Sequence, residues 1–143
     1  MSNPVVVTGS ASGLGAAVVR RLRAAGRTTI GIDVQPGDLV DLLADLGTPE
    51  GRAAALEAVA EATDALDGLV SCAAVSPIHP DPATVVSVNA FGALAVLDGL
   101  LPLLARGTDP AAVAISSIGA VDGSADESLV GVLRTGDEAA ARA

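Results

Sequence analysis

Three glycines follow a short β-branched run near the beginning of the chain, and their spacing is typical of a phosphate-binding turn. The run at residues 5–7 predicts a buried strand, and the Ala-rich residues 16–25 after Gly9, Gly13 and Gly15 predict a helix. The N–H groups of a first helical turn lack intrahelical partners and carry the positive end of the helix dipole, so they favour an anion. Glycines suit this turn because a Cβ would hold a phosphate away from the backbone. The cluster by itself also fits an ordinary glycine-rich turn.

A carboxylate ends the second apolar strand, which we predict over residues 28–33. Asp33 follows Gly15 at close to the roughly 20-residue spacing at which an acidic residue meets the hydroxyls of an adenosine ribose. A carboxylate accepts hydrogen bonds from two hydroxyls and repels a 2′-phosphate, so the pattern predicts NAD rather than NADP. The alternative for Asp33 taken alone is a solvated strand end.

Composition argues against several other functions. The net charge is −9, with 17 acidic and 8 basic residues, which disfavours nucleic-acid binding. A P-loop requires a lysine after its glycines, and the chain contains no lysine. The single cysteine fits a reducing compartment, so we expect a cytoplasmic protein. We expect no membrane span, because Asp98 and Pro102 interrupt the most apolar stretch, and no metal site, because metal-ligand spacing is lacking.

Apolar strands alternate with helical segments along the rest of the chain. Further strands are predicted over residues 42–46, 69–74 and 112–116. Helices are predicted over residues 13–25, 49–63 and 83–105, the second with Thr48 as N-cap and Pro49 at the first helical position. The alternation predicts an α/β fold in which parallel βαβ units form a doubly wound sheet.

The motif T-G-x-x-x-G-x-G, from Thr8 to Gly15, resembles that of the short-chain dehydrogenase/reductase family. Within that family, the segments GIDV, ADLGTPEGR, VVSVNAFGA, AAVAISS and GDEAAARA are similar to the bacterial 3α-hydroxysteroid dehydrogenase/carbonyl reductase branch. The resemblance covers essentially the whole chain and implies a Rossmann-like sheet of five strands in the order 3-2-1-4-5. It implies an NAD-dependent oxidoreductase that transfers hydride between NAD(H) and an alcohol or carbonyl substrate, which the branch suggests is steroid-like.

The resemblance also implies which residues contact the cofactor. Asp45 and Leu46 match an Asp-apolar pair that faces the adenine in this family, although a strand-end Asp is the alternative. Residues 71–74 stand where the family has N-N-A-G, and both asparagines are absent, but we expect cofactor binding to survive because Ala73 and Ala74 are small. The implied contacts are Gly9, Ser10, Ser12, Gly13, Leu14, Gly15, Asp33, Asp45, Leu46, Ala73 and Ala74.

Asn89 and Ser117 match two members of the family's catalytic tetrad. Asn89 corresponds to the helix asparagine of the proton relay, and Ser117 to the serine whose hydroxyl hydrogen-bonds the substrate oxygen. The other two members form Tyr-x-x-x-Lys, where the tyrosine is the general acid/base and the lysine lowers its pKa. The chain contains neither residue type. An inert dinucleotide-binding fragment or pseudoenzyme is therefore the alternative function.

The resemblance divides the chain into two parts. Residues 1–118 match an NAD-binding Rossmann domain, and residues 119–143 match the start of a partly helical insertion characteristic of the steroid dehydrogenase branch. Thr135 and Glu138 predict a capping box that begins a helix shortly before Ala143. We therefore expect a C-terminally truncated reductase that lacks the family's last two strands, leaving the fifth strand as an exposed edge prone to self-association.

The remaining expectations concern partners and a competing fold. The long helix that carries Asn89 resembles the helix used for subunit packing in the family, which implies a homo-oligomer. We expect a small alcohol or carbonyl substrate, with neither nucleic acid nor membrane as a partner. A methyltransferase also places glycines after its first strand, but the spacing from Thr8 to Gly15 and the I-S-S sequence at residues 115–117 disfavour it.

Overall fold

A parallel sheet lies at the centre of the computed structural model, which describes residues 2–118 and 126–143. Its five strands are arranged in the order β3-β2-β1-β4-β5, as the sequence predicts. The Rossmann-like fold class is therefore confirmed. The strands are β1 (Val5–Thr8), β2 (Thr29–Asp33), β3 (Leu42–Leu43), β4 (Gly68–Ser71) and β5 (Ala111–Ala114).

Helices connect the strands and extend beyond them. Three helical stretches after β4 continue one another as a single helix, Pro82–Leu104, with a π-helical turn in its interior. The helices are α1 (Gly13–Ala24), α2 (Pro49–Ala62), α3 (Pro82–Val86), the π-helical turn (Ser87–Gly92), α4 (Ala93–Leu104), α5 (Glu127–Thr135) and α6 (Glu138–Arg142).

The residues of β1 contribute to two apolar layers on opposite faces of the sheet. Val6 belongs to the larger layer, together with Leu69 and Val96. Val5 belongs to the smaller layer, with Val19 of α1. Both faces of this strand are covered, which explains why its sequence is a continuous apolar run rather than an alternating one.

Local signals place the ends of the first two long helices as predicted. The hydroxyl of Thr48 accepts a hydrogen bond from the backbone N–H of Gly51 at 3.0 Å, and Pro49 is the first residue of α2. Gly26 has φ of +76° directly after the end of α1, a conformation that glycine adopts without steric cost.

Strands β3, β4 and β5 end earlier than predicted. Thr8 pairs with Ser71, and Ser71 pairs with Ala114, at the ends of their ladders. These two ladders stop here because the chain leaves the sheet at Gly9, whose φ is +71°, so longer β4 and β5 strands would have nothing to pair with. β3 pairs only with the last two residues of β2 and stops where β2 ends. The Asp45–Leu46 pair consequently lies in the loop after β3, not at the end of the strand.

The last helix begins at a different residue from the one predicted. Thr135 is the final residue of α5, and Gly136 follows it with φ of +74°. An N-cap residue needs a non-helical backbone, so Asp137 caps α6 instead, with its carboxylate accepting a hydrogen bond from Ala140 N at 3.0 Å. The predicted capping box of Thr135 and Glu138 is wrong. Residues 119–125 of the expected insertion lie outside the described residues.

The predicted helix over residues 83–105 is present, and its apolar stretch is longer than the argument from Asp98 and Pro102 assumed. Pro82–Leu104 has 23 residues and a mean hydropathy of 1.7, which is enough to cross a membrane by length and composition alone. Burial of Val96 and Leu100 in the larger core layer explains part of this apolar character without a membrane. The absence of a membrane span stays a prediction.

Asp67 joins several segments at the amino edge of the sheet. Its carboxylate accepts hydrogen bonds from Asn3 Nδ2 at 2.8 Å and from the backbone N–H of Thr108 at 3.0 Å. Arg27 adds an ion pair at 3.3 Å. Because the charged form is hydrogen-bonded in this way, chiefly by Asn3 and Thr108, the pKa of Asp67 lies below its ordinary value.

We expect Asp67→Asn to lower the urea midpoint of unfolding at neutral pH, because an amide cannot accept all of these hydrogen bonds. The folded pKa is below the ordinary 3.8, so this stabilisation is complete above that value and is lost as the pH falls through the lower folded pKa. The gap between wild type and variant should be constant down to about pH 5 and shrink below about pH 4. Asp38→Asn, at an exposed carboxylate, is the control. A gap that does not shrink in acid would contradict this role.

β5 forms one edge of the sheet and is exposed along its whole length. Its residues are uncharged, and Val113 is 49% exposed. An edge strand with open backbone groups and no charged side chain pairs readily with another strand. The predicted exposed fifth strand is confirmed.

We expect the chain to self-associate and Val113→Lys to shift it towards monomer, because a charge on an edge strand opposes strand pairing. Sedimentation velocity over a concentration series measures this. Ile78→Lys is the control, since Ile78 is 89% exposed in the loop after β4 and away from the edge. A wild-type chain that sediments as a monomer at every concentration would rule out association through β5.

Candidate functional site

A cleft lies at the carboxyl edge of the sheet, where the strand order reverses between β1 and β4. Such a reversal leaves a crevice into which open α/β sheets bind ligands. The cleft has a volume of about 470 Å³, within the range of small-molecule sites. All but one of the predicted cofactor contacts line it: Gly9, Ser12, Gly13, Leu14, Gly15, Asp33, Asp45, Leu46, Ala73 and Ala74.

Each glycine after β1 is needed for a different reason. A Cβ on Gly9 would lie 2.9 Å from Ala73 Cα, so the turn could not pack against the loop after β4. A Cβ on Gly15 would lie 2.0 Å from the carbonyl oxygen of Gly9, which closes the turn onto α1. Gly13 has φ of +53° and open space in front of it, with nothing within 4 Å of its Cβ position. Gly9 and Gly15 close the turn, and Gly13 leaves room beside the helix.

The N-terminus of α1 faces this room and is open to an anion. Ser12 is its N-cap residue, and its side chain makes no capping hydrogen bond within the described chain. The first turn also carries no acidic residue. The first-turn N–H groups and the positive end of the helix dipole are therefore available to a negatively charged ligand.

Asp33 is held at the cleft by two backbone hydrogen bonds. One carboxylate oxygen accepts from Ala11 N at 2.9 Å, and the other accepts from Gln35 N at 2.9 Å. A carboxylate has about four acceptor positions, so both oxygens can accept another hydrogen bond. Asp33 can thus bind two neighbouring hydroxyls without losing the bonds that orient it.

Two side chains fix the loop after β4, which forms another wall of the cleft. Thr8 Oγ1 accepts hydrogen bonds from Cys72 N at 3.1 Å and from Ala73 N at 3.0 Å. The amide of Asn89 accepts from Val75 N at 2.8 Å and donates to Val75 O at 2.9 Å. The Asn89 side chain therefore braces this loop and does not line the cleft.

The structure does not bring two other predicted residues into the cleft. Ser10 is fully buried, and its hydroxyl lies over Gly31, only 2.7 Å from where a Cβ on that glycine would be. Only the backbone of Ser10 remains near the glycine turn. Ser117 is exposed beyond the end of β5 and does not line the cleft.

Several residues that line the cleft were not predicted. Thr84 and Val88 lie one helical turn apart in α3 and the π-helical turn, a spacing that would have placed them on one face. Cys72 also lines the cleft, and burial raises the pKa of its thiol, which favours the neutral form over the nucleophilic thiolate. Residues 2–118 and 126–143 contain no cluster of metal-ligating side chains.

Comparison with known proteins places the chain in a family. A family model described as short chain dehydrogenase matches residues 3–129. The chain belongs to the short-chain dehydrogenase family. It is 42% identical over 141 residues to the 3-alpha-hydroxysteroid dehydrogenase/carbonyl reductase of Comamonas testosteroni, covering 97% of this chain and 54% of that relative. It is 37% identical over 106 residues to a coniferyl-alcohol dehydrogenase of Pseudomonas, covering 72% and 40% of the two chains.

A solved structure of another member of the family supports the same assignment. The 3-alpha-hydroxysteroid dehydrogenase of Pseudomonas sp. B-0831, complexed with NADH, superimposes with a TM-score of 0.90 at 46% identity. The match covers 96% of this chain and 54% of that structure. The chain thus spans about half the length of these hydroxysteroid dehydrogenases.

We expect Gly15→Ala to destabilise this family member far more than Gly13→Ala. Gly13→Ala should cost about 1–2 kcal/mol, because alanine would have to hold a left-handed backbone. Gly15→Ala should cost roughly 3 kcal/mol or more, since its Cβ would overlap backbone that cannot move aside. Urea unfolding measures both, with Gly131→Ala, an open position within α5, as the control. Equal losses for Gly13→Ala and Gly15→Ala would disprove the assigned difference.

Proposed function

We propose that this chain binds NAD(H) in the cleft and that the protein is an NAD-dependent oxidoreductase acting on an alcohol or carbonyl. One observation carries the proposal: the open space at Gly13 lies beside the first turn of α1, which has no side-chain cap and no acidic residue, in a cleft that Asp33 also lines. That combination suits a diphosphate next to a ribose. The NADH complex of the Pseudomonas sp. B-0831 relative supports the choice of cofactor.

The residues of the cleft fit the parts of a dinucleotide. The first-turn amides of α1, near Ser12, Gly13 and Leu14, would hold the diphosphate. Asp33 would accept hydrogen bonds from the adenosine ribose and disfavour a 2′-phosphate. The Asp45–Leu46 pair would lie beside the adenine, and the small side chains of residues 73–74 would leave space for the backbone to approach the ribose. The bound cofactor supplies the hydride, and the protein positions it.

The substrate side of the reaction rests on Ser117 and Asn89. Ser117 would hydrogen-bond the substrate oxygen, where charge develops in the transition state. Asn89 would keep the loop after β4 in place. The names of the relatives favour a hydroxysteroid or similar carbonyl substrate. We also propose a homo-oligomer, because Leu94 and Leu101 leave an apolar face of α4 exposed. A cytoplasmic location is proposed because the single cysteine fits a reducing compartment.

A second candidate is an inert dinucleotide-binding fragment or pseudoenzyme. The absence of tyrosine and lysine from the chain favours it, because no side chain here can replace the general acid of Tyr-x-x-x-Lys. The position of Ser117 outside the cleft favours it as well. NADH oxidation by the chain with a 3-oxosteroid would exclude this candidate, and Ser117→Ala should then slow turnover by about 10²–10³-fold.

We expect the chain to bind NADH more tightly than NADPH, and Asp33→Asn to raise the NADH Kd about tenfold or more. An amide accepts fewer hydrogen bonds from the ribose and no longer repels a 2′-phosphate, so the preference over NADPH should shrink. Titration of nicotinamide fluorescence measures both affinities, with Asp38→Asn as the control. Unchanged NADH affinity in Asp33→Asn, or a thermal shift with S-adenosylmethionine instead of NADH, would refute the proposed function.

A further inference from the structure

A buried ion pair joins α2 to α6 outside the cleft itself. Arg52 Nη2 donates a hydrogen bond to Glu138 Oε2, and the two side chains are 8% and 20% exposed. The free-energy cost of removing two charges from water can exceed the free energy gained from their attraction. A buried ion pair is therefore weak evidence for a contribution to stability. The contacts that Arg52 and Glu138 make with the walls of the cleft are therefore more informative than the ion pair itself.

Arg52 is attached to the loop that forms one wall of the cleft. The hydroxyl of Thr48 donates to the carbonyl of Asp45 at 3.1 Å and accepts from Gly51 N at 3.0 Å. Arg52 N in turn donates to the carbonyl of Thr48 at 3.0 Å. Asp45 itself lines the cleft. Hydrogen bonds through Thr48 therefore connect the backbone of Arg52 to that of Asp45.

Glu138 is attached to the opposite wall, which belongs to the long helix. α6 packs against α3 and the π-helical turn, and Ser87 of that turn is 2% exposed and precedes Val88 of the cleft lining. Burial alone would raise the pKa of Glu138, but Arg52 and the nearby hydroxyl of Ser87 hold that pKa below its ordinary value. Ser87 Oγ and Glu138 Oε1 are both buried without a hydrogen-bond partner among the described residues.

Loop 44–47 and the long helix, the two walls of the cleft, are in direct contact. Their separation should therefore depend on the Arg52–Glu138 pair. A Cβ on Gly47 would lie 3.0 Å from Val88 Cγ2. A Cβ on Gly92 would lie 2.8 Å from the carbonyl oxygen of Leu46. Loop 44–47 and the π-helical turn therefore pack closely at these two glycines, and the Arg52–Glu138 pair lies outside this contact.

We propose that Glu138 is a positioning residue for the adenine side of the cleft, acting through Arg52 and Ser87 to hold loop 44–47 against the long helix. The inference rests on the proposed function, because it assumes that Asp45 and Leu46 meet an adenine. Segment 126–143 would then influence ligand binding indirectly, although none of its residues lines the cleft.

The test compares Glu138→Gln, which removes the charge but keeps the size, with wild type. The Kd values for NADH and for AMP, measured by calorimetry, should rise together by about two- to thirtyfold. Hydrogen exchange in the cofactor-free chain should become faster in loop 44–47 and around Val88. Ser87→Ala, which keeps the ion pair, should give a smaller change in the same direction. Arg23→Met is the matched control, because it removes an arginine from the more exposed Arg23–Asp41 pair.

A double-mutant cycle separates positioning through the pair from two independent effects. Arg52→Met and Glu138→Leu each leave the other charge buried alone, so the double variant should lose less AMP affinity than the sum of the two. Additive losses would overturn the proposal, as would an AMP Kd in Glu138→Gln equal to that of wild type or Arg23→Met. Wild type that binds neither ligand would refute the proposed function instead, while hydrogen exchange would still report whether Glu138 holds the two walls.

Discussion

The turn after β1 has room for backbone atoms only, and much of the cleft follows from that constraint. Gly9 packs against the loop after β4 so closely that a side chain would touch Ala73, and Gly15 packs against Gly9 itself. The close packing directs α1 back over the sheet and points its first turn at the cleft. It also brings Ala11 N to the carboxylate of Asp33, so the same turn orients the acidic residue.

The amino and carboxyl ends of the parallel strands form two edges of the sheet, and these two edges have different roles. At the amino edge, Asp67 collects Asn3, Arg27 and Thr108 and ties distant segments together. At the carboxyl edge, polar groups are left with acceptor or donor capacity, as at Asp33 and the first turn of α1. The difference follows from parallel topology, because every β-to-α connection, and hence every open helix N-terminus, lies at the carboxyl edge.

The cleft is supported from three directions by contacts that are distant in sequence. Thr8 holds the loop after β4 from within the sheet, and Asn89 holds the same loop from the long helix. The Arg52–Glu138 pair holds the loop after β3. The lateral edge at β5 has no such support among the described residues, and its strand is exposed throughout. Support is thus concentrated around the cleft, while the strand at the lateral edge is exposed.

The sequence alone was sufficient for the order of elements along the chain and for the glycine turn with Asp33, because each depends on local periodicity or short spacing. The strand order came from the family resemblance. The family resemblance identified the Asp45–Leu46 pair but not its place in a loop. Only the tertiary structure decided where strands end, since a strand stops when its neighbour leaves the sheet. It also decided that Ser10 is buried, that Asn89 forms hydrogen bonds with the backbone of Val75 and that Glu138 forms an ion pair with Arg52. These contacts join residues far apart in the chain, and no local pattern specifies which distant partner a side chain will find.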